Sequence, residues 1–169
     1  GVWVEHVELS ENLRASNLAI HLTVAPPFAA DRLATLAAVG GVSGLLAGST
    51  IDHAPSHSRV ISGTPYVSDA LTFGGTTVVI PRHVLSFFQG NRHLLPALVS
   101  HVVDAVPDGS TVVDLYAGVG LFSIPAASVR RASVIAVEGD AVSSADLTAN
   151  AEQAGGRIEA VHASVETFA

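Results

Sequence analysis

The chain reads as an α/β protein in two parts: an N-terminal α+β module, then the first half of a doubly wound, Rossmann-like parallel domain. Three observations point there. Strand-like and helix-like segments alternate at a steady pitch after Pro81. A short buried-looking run ends in an acidic residue and a Gly-x-Gly turn. Before Pro81 the texture is strands with one helix. The boundary predicted from this is residues 1–81 for the first module and 82–169 for the second, which ends after three strands, fewer than such a domain usually has.

The elements follow in order. Residues 2–9 and 17–24 are rich in β-branched residues with partial alternation and predict strands. Pro26 and Pro27 break the chain, and Phe28, Leu33, Leu36 and Ala37 outline a helix over 28–39 that Gly40 and Gly41 stop. Residues 42–47 predict a strand, 51–58 a polar loop, and 68–73 with 76–80 a hairpin across Gly74-Gly75. Residues 93–106 predict a helix with Leu94, Leu95, Leu98, Val99, Val102 and Val103 on one face. A buried strand over 111–116, a helix interrupted near Pro125, a buried strand over 133–137, a helix over 140–154 and a strand over 158–162 complete the series.

Composition narrows the function. Apolar residues make up 49 % of the 169 and charged ones 14 %, so the chain can bury a core and is no disordered tail. The net charge is −7, and the eight basic residues are all Arg. That balance argues against this chain being the main grip on nucleic acid. There is no Cys, so thiolate zinc sites, iron–sulfur clusters and a Cys nucleophile are excluded within it. The longest apolar-leaning run, residues 34–51, carries four glycines and would make a poor membrane helix. No signal peptide is apparent, no membrane partner is expected, and a cytoplasmic location is. The chain starts at Gly1 without an initiator methionine, which suggests processing or excision from something larger.

The informative run is Val112-Val113-Asp114-Leu115-Tyr116-Ala117-Gly118-Val119-Gly120, with Glu138 ending the next strand 18 residues later. Gly118 and Gly120 let backbone amides approach a ligand, and Glu138 can accept both ribose hydroxyls of a nucleoside. Ser123 stands where a dinucleotide fingerprint has its third glycine, and Asp114 would repel a pyrophosphate. A cationic nucleoside with an amino-acid end, S-adenosylmethionine, suits the two acids better than NAD. A tight turn without a ligand is the bland alternative. His53 and His57, four apart around Pro55, read as loop residues rather than a metal pair, and no metal site is expected. Arg130-Arg131 reads as a solvated helix end.

Residues from about 63 to 169 resemble the RNA (uracil-5-)methyltransferase family, which acts on tRNA or 23S rRNA. The resemblance rests on the run from Gly63 to Leu71, on Pro81 to Asn91 with its Phe87-Phe88-Gln89-Gly90-Asn91 segment, on Asp114 to Gly120, and on Val137-Glu138-Gly139. It implies S-adenosyl-L-methionine as cofactor and RNA as partner. It implies a cofactor-binding set of Gln89, Asp114, Tyr116, Gly118, Gly120, Leu121 and Glu138, with Gln89 at the methionine end and Glu138 on the ribose. Phe87 and Phe88 are expected to pack rather than stack on RNA, and Asn91 to cap the following helix.

Leu121, Ala117 and Ser164 depart from residues frequent in that family, and Ser164 stands where an acid often receives the adenine amino group. The family's Asp-Pro-Pro-Arg segment, nucleophilic Cys and catalytic Glu have no counterpart among these residues, so no catalytic residue is assigned. The chain alone is expected to be inactive. The alternative is a short, catalytically inactive relative that acts as a binding or scaffold module. The strand over 111–116 is expected to leave an open sheet edge through which the chain self-associates.

Overall fold

Two antiparallel strands, β1 (Val4–Glu11) and β2 (Leu18–Val24), form where the β-branched residues predict them. Their connection is organised by Asn12, whose Oδ1 accepts from the amides of Ser16 at 2.9 Å and Asn17 at 3.2 Å. The computed structural model describes residues 2–25, 29–48 and 57–168, in two compact units: Gly1–Ser68 with Arg82–Leu85, and Asp69–Pro81 with Ser86–Ala169.

In the first unit the helix expected over 28–39 is shorter. It comprises α1 (Ala30–Leu33) and a 3-10 turn, Ala34–Ala38, that ends before Gly40; Phe28 lies outside the described residues. Leu33 packs with Leu22, Val24, Leu45 and Ala47. This crossover leads into β3 (Val42–Gly48), parallel to β2, and β4 (Ser58–Gly63) closes the sheet antiparallel in the order β1-β2-β3-β4. The polar loop expected over 51–58 falls mostly outside the described residues, as does His53; His57 is exposed and Ser58 already belongs to β4. β4 escaped the sequence reading because most of its positions are exposed, so no apolar run marks it. Across this sheet His21 is buried, with Nδ1 3.2 Å from a Glu8 carboxylate oxygen and Nε2 2.7 Å from the Ser58 hydroxyl.

β5 (Tyr66–Phe73) and β6 (Thr76–His83) form the expected hairpin, with Gly74 and Gly75 at φ 52° and 98° in the turn. In the second unit α2 (Leu95–Ala105), β7 (Thr111–Leu115), α3 (Ser123–Arg130), β8 (Ser133–Glu138), α4 (Ala141–Gln153) and β9 (Ile158–His162) alternate as predicted, and a short α5 (Val165–Phe168) follows that the sequence pattern did not mark. The three strands are parallel, in the order β7-β8-β9. Ala117, Ala126, Ala127, Ala132, Val134, Ala136 and Leu147 form the core, and the alanines let helix and sheet approach closely.

Some details differ from expectation. On α2 only Leu95, Val99 and Val103 are buried. The interruption near Pro125 does not occur: Pro125 is third in α3, within the first turn, where backbone N–H groups have no intrahelical acceptor to lose. β7 is not a buried strand. Val113 is 50 % and Leu115 43 % exposed, because among the described residues β7 is paired only with β8. Asn91 does cap the turn before α2, its Oδ1 accepting from His93 and Leu94 amides at 3.2 Å each. Arg130 is not simply solvated: it donates to the Val103 carbonyl at 2.9 Å and to Asp104 at 2.6 Å. Among the described residues no helix is long and apolar enough to cross a membrane.

Candidate functional site

The site is built where β7 hands over to α3. Tyr116 follows the strand at φ +61°, a left-handed conformation that a bulky residue adopts only when its surroundings hold it there. The next amide, of Ala117, donates to the Val137 carbonyl of β8 at 2.9 Å. Gly118 and Gly120 then take φ 57° and 92°. The two glycines serve different ends. A methyl group on Gly120 would stand 2.8 Å from Ile124 and 3.1 Å from Leu147, so this glycine lets α3 and α4 close under the turn. A methyl on Gly118 would meet nothing within 4 Å, so this glycine supplies the turn conformation and leaves open space above it.

Glu138, at the end of β8, is tied to that turn. One carboxylate oxygen accepts from the Gly118 amide and the other from the Asp140 amide, each at 2.7 Å. Asp140 in turn caps α4, accepting from the Ser143 amide at 2.8 Å. The acid is thereby fixed beside the turn while each oxygen keeps a further lone pair.

A cleft opens over the turn, with Phe87, Phe88 and Gln89 on one wall and Tyr116, Gly118 and Leu121 on the other. The structure thus gathers Gln89, Tyr116, Gly118 and Leu121, and joins Glu138 to them through the Gly118 amide. Tyr116 is 70 % exposed and Phe87 73 %, so Tyr116 is no core aromatic, and the expectation that Phe87 packs is corrected. Phe87 lies outside regular secondary structure with its ring open to solvent, whereas Phe88 is half-buried. The Glu166 carboxyl lies below its ordinary range, through its own backbone amide first, then the Ser164 hydroxyl and, last, the Tyr116 hydroxyl. Ser164 does not face the cleft as an acceptor; it caps α5, with its hydroxyl 3.3 Å from the Thr167 amide.

Two predicted residues stand apart. Gly120 lies beneath the turn in packing contact. Asp114 lines a neighbouring, mostly apolar cavity with Val102, Val106, Val113, Phe122 and Ser123. Its Oδ2 accepts from the Ser123 hydroxyl at 2.5 Å. Burial holds its carboxyl above the ordinary value; the Ser123 bonds oppose that, and the Glu138 charge adds to it. Ser86, Asp146 and Asn150, which no sequence motif singles out, are all buried and hydrogen-bonded next to the cleft. The mark that Asp146 and Asn150 leave in the sequence is their i, i+4 spacing on either side of Leu147. Among the described residues no cluster of three or more His, Asp or Glu could hold a metal ion.

Comparison with known proteins bears on the fold and on the second unit. Residues 98–169 match the TRM5/TYW2 methyltransferase domain family. A 23S rRNA (uracil(747)-C(5))-methyltransferase of Pyrococcus abyssi is 37 % identical over 65 residues, covering 38 % of this chain and 15 % of that protein. The structure of a P. abyssi tRNA (uracil-54, C5)-methyltransferase in complex with S-adenosyl-L-homocysteine superposes at TM-score 0.65, with 18 % identity, over 92 % of this chain and 38 % of that one. P. horikoshii TYW2 in complex with MeSAdo gives TM-score 0.55 and 20 % identity over 89 % of this chain and 55 % of that one. The chain therefore spans about half or less of the length of these relatives. The fold of the second unit is the Rossmann-like methyltransferase fold, and residues 98–169 are similar to the methyltransferase domain of RNA-modifying enzymes.

Proposed function

We propose that this chain supplies the cofactor face of an enzyme that methylates uridine C5 in tRNA or rRNA with S-adenosyl-L-methionine. Residues 82–169 carry the methyltransferase domain and 1–81 a preceding module. The observation that carries the cofactor reading is the Glu138–Gly118 bond beside the open face of the Gly118 turn. A nucleoside fits there: Glu138 has lone pairs left for two ribose hydroxyls, Leu121 and Phe122 offer apolar surface, and Gln89 offers an amide to the amino-acid end. When bound, the cofactor supplies a sulfonium-activated methyl group. Tyr116 covers the turn from its exposed position, and Gly118 and Gly120 shape it. Asp114 acts from behind, fixing the start of α3 through Ser123. RNA is the partner and the cytoplasm the location in this reading.

The uracil-5 assignment draws support from the Phe87–Asn91 segment and from the P. abyssi rRNA methyltransferase relative. Attack on C6 of uracil by a thiolate is what makes C5 nucleophilic in the family it resembles, and this chain has no Cys. The chain alone should therefore transfer no methyl group to uridine. The domain match to TRM5/TYW2, with a structural likeness to an M. jannaschii tRNA m1G37 methyltransferase at TM-score 0.51, favours a second reading, an RNA methyltransferase acting on another base.

The test is calorimetric titration of S-adenosylhomocysteine into the protein and its Glu138→Ala variant. Loss of the carboxylate should weaken binding by about 1–3 kcal/mol, the range for a group stranded without its partner. Equal affinities would remove Glu138 from the site. Incubation of the full-length protein with labelled donor and RNA, followed by nucleoside analysis, separates the two readings. 5-Methyluridine supports the first and another methylated nucleoside the second.

A further inference from the structure

We infer that Asp146 and Asn150, one turn apart on α4, are positioning residues that set the distance between the two walls of the cleft. The proposal rests on the cofactor reading above and concerns the same site. Neither wall has regular secondary structure: Phe87, Phe88 and Gln89 follow the end of a turn, and residues 116–120 form another. Such segments hold a geometry only where side chains tie them down.

Both ties run to one face of one helix. The Ser86 hydroxyl, immediately before Phe87, donates to Asp146 Oδ2 at 2.5 Å. The Asn150 side-chain amide donates to the Val119 carbonyl at 2.9 Å, inside the Gly118–Gly120 turn, and to the Pro81 carbonyl at 3.0 Å. Between them in sequence, Leu147 is fully buried where Gly120 leaves room for it. Ser86 and Asp146 are each 6 % exposed and Asn150 3 %, so water does not replace these bonds when one is lost. The i, i+4 spacing puts Asp146 and Asn150 on one helix face. A rigid helix thereby serves as the common ruler for Gln89 on one side and Gly118 on the other, and the ligand needs both at once.

The experiment combines S-adenosylhomocysteine titration with segment-resolved amide exchange on the unliganded protein. Asp146→Ala and Asn150→Ala should each weaken binding about tenfold, in line with the loss of the one buried hydrogen bond that each side chain makes toward a cleft wall. Asp146→Asn, whose amide oxygen still accepts from Ser86, should restore it. Ser86→Ala, a smaller change, should reproduce Asp146→Ala if the latter folds poorly. Exchange should quicken at residues 87–89 in Asp146→Ala and at 117–120 in Asn150→Ala, with β8 unchanged. Unaltered affinity in the Ala variants of a protein that binds, or faster exchange spread evenly over the unit, would overturn the positioning role alone. Failure of the unsubstituted protein to bind would instead overturn the cofactor reading, and this proposal with it.

Discussion

Asp114 is the residue whose sequence context and surroundings pull in different directions. Its place before a Gly-x-Gly turn reads as an open carboxylate, yet it is enclosed by Val102, Val106, Val113 and Phe122, with the Ser123 hydroxyl 2.5 Å away. Burial raises its pKa above the ordinary 3.8, outweighing the Ser123 bonds. The folded state thus binds this proton more tightly than the unfolded chain does. The stability it contributes is complete below 3.8 and is lost as pH rises through the folded-state value. Asp114→Asn keeps an oxygen for Ser123 and removes the buried charge. It should unfold at a higher denaturant concentration than the parent at pH 7, with the gap closing toward pH 4; coincident midpoints at pH 7 would refute the argument. The local parts of the site, Gly118, Gly120 and Glu138, were legible because turn chemistry and strand ends are short-range features. Gln89 was legible only through family resemblance. Asp146 and Asn150 were not, because a polar residue inside a helix reads as solvent-facing until the tertiary structure turns it inward.

The same divide runs through the elements. Those that bury an apolar face, such as α2 and β8, announce themselves through apolar spacing, and their order follows from alternation of strand and helix. β4 does not, since a mostly exposed strand has no pattern to show; what it has is a demand on its partner. Gly44 of β3 lies opposite Gly63 of β4, which sits at φ +67°. A methyl on Gly44 would collide with the Thr64 carbonyl oxygen, and one on Gly63 with that of Ser43. Both obstacles are backbone, which cannot rotate away as a side chain can. Gly44→Ala should therefore push β4 off the sheet and cost at least about 1–3 kcal/mol, the range for overpacking. Gly40→Ala, with nothing within 4 Å, is the control and should be close to neutral. Chemical denaturation of both variants tests this, and a change in Gly44→Ala no larger than in Gly40→Ala would sink it.

At the level of the whole molecule the sheet edge and the charge compete. β7 pairs with β8 on one side, and among the described residues no strand pairs with its other side. Val113 and Leu115 are about half exposed along it. A row of free backbone donors and acceptors flanked by apolar side chains is a template for another strand. The net charge of −7 opposes association, but it is spread over a chain in which only 14 % of residues are charged, and at 0.15 M salt repulsion beyond about 8 Å is largely screened. Strand pairing acts at about 4.8 Å, inside that range, so the edge should win as concentration rises. The 169-residue chain is accordingly expected to elute with a mass above 17.3 kDa in size-exclusion chromatography with light scattering, increasingly so with concentration. Val113→Lys places a charge on the edge itself and should shift the equilibrium toward monomer. A parent chain that stays monomeric at high concentration would show that the β7 edge is not a pairing surface, and a Val113→Lys variant that associates as strongly as the parent would place the contact elsewhere.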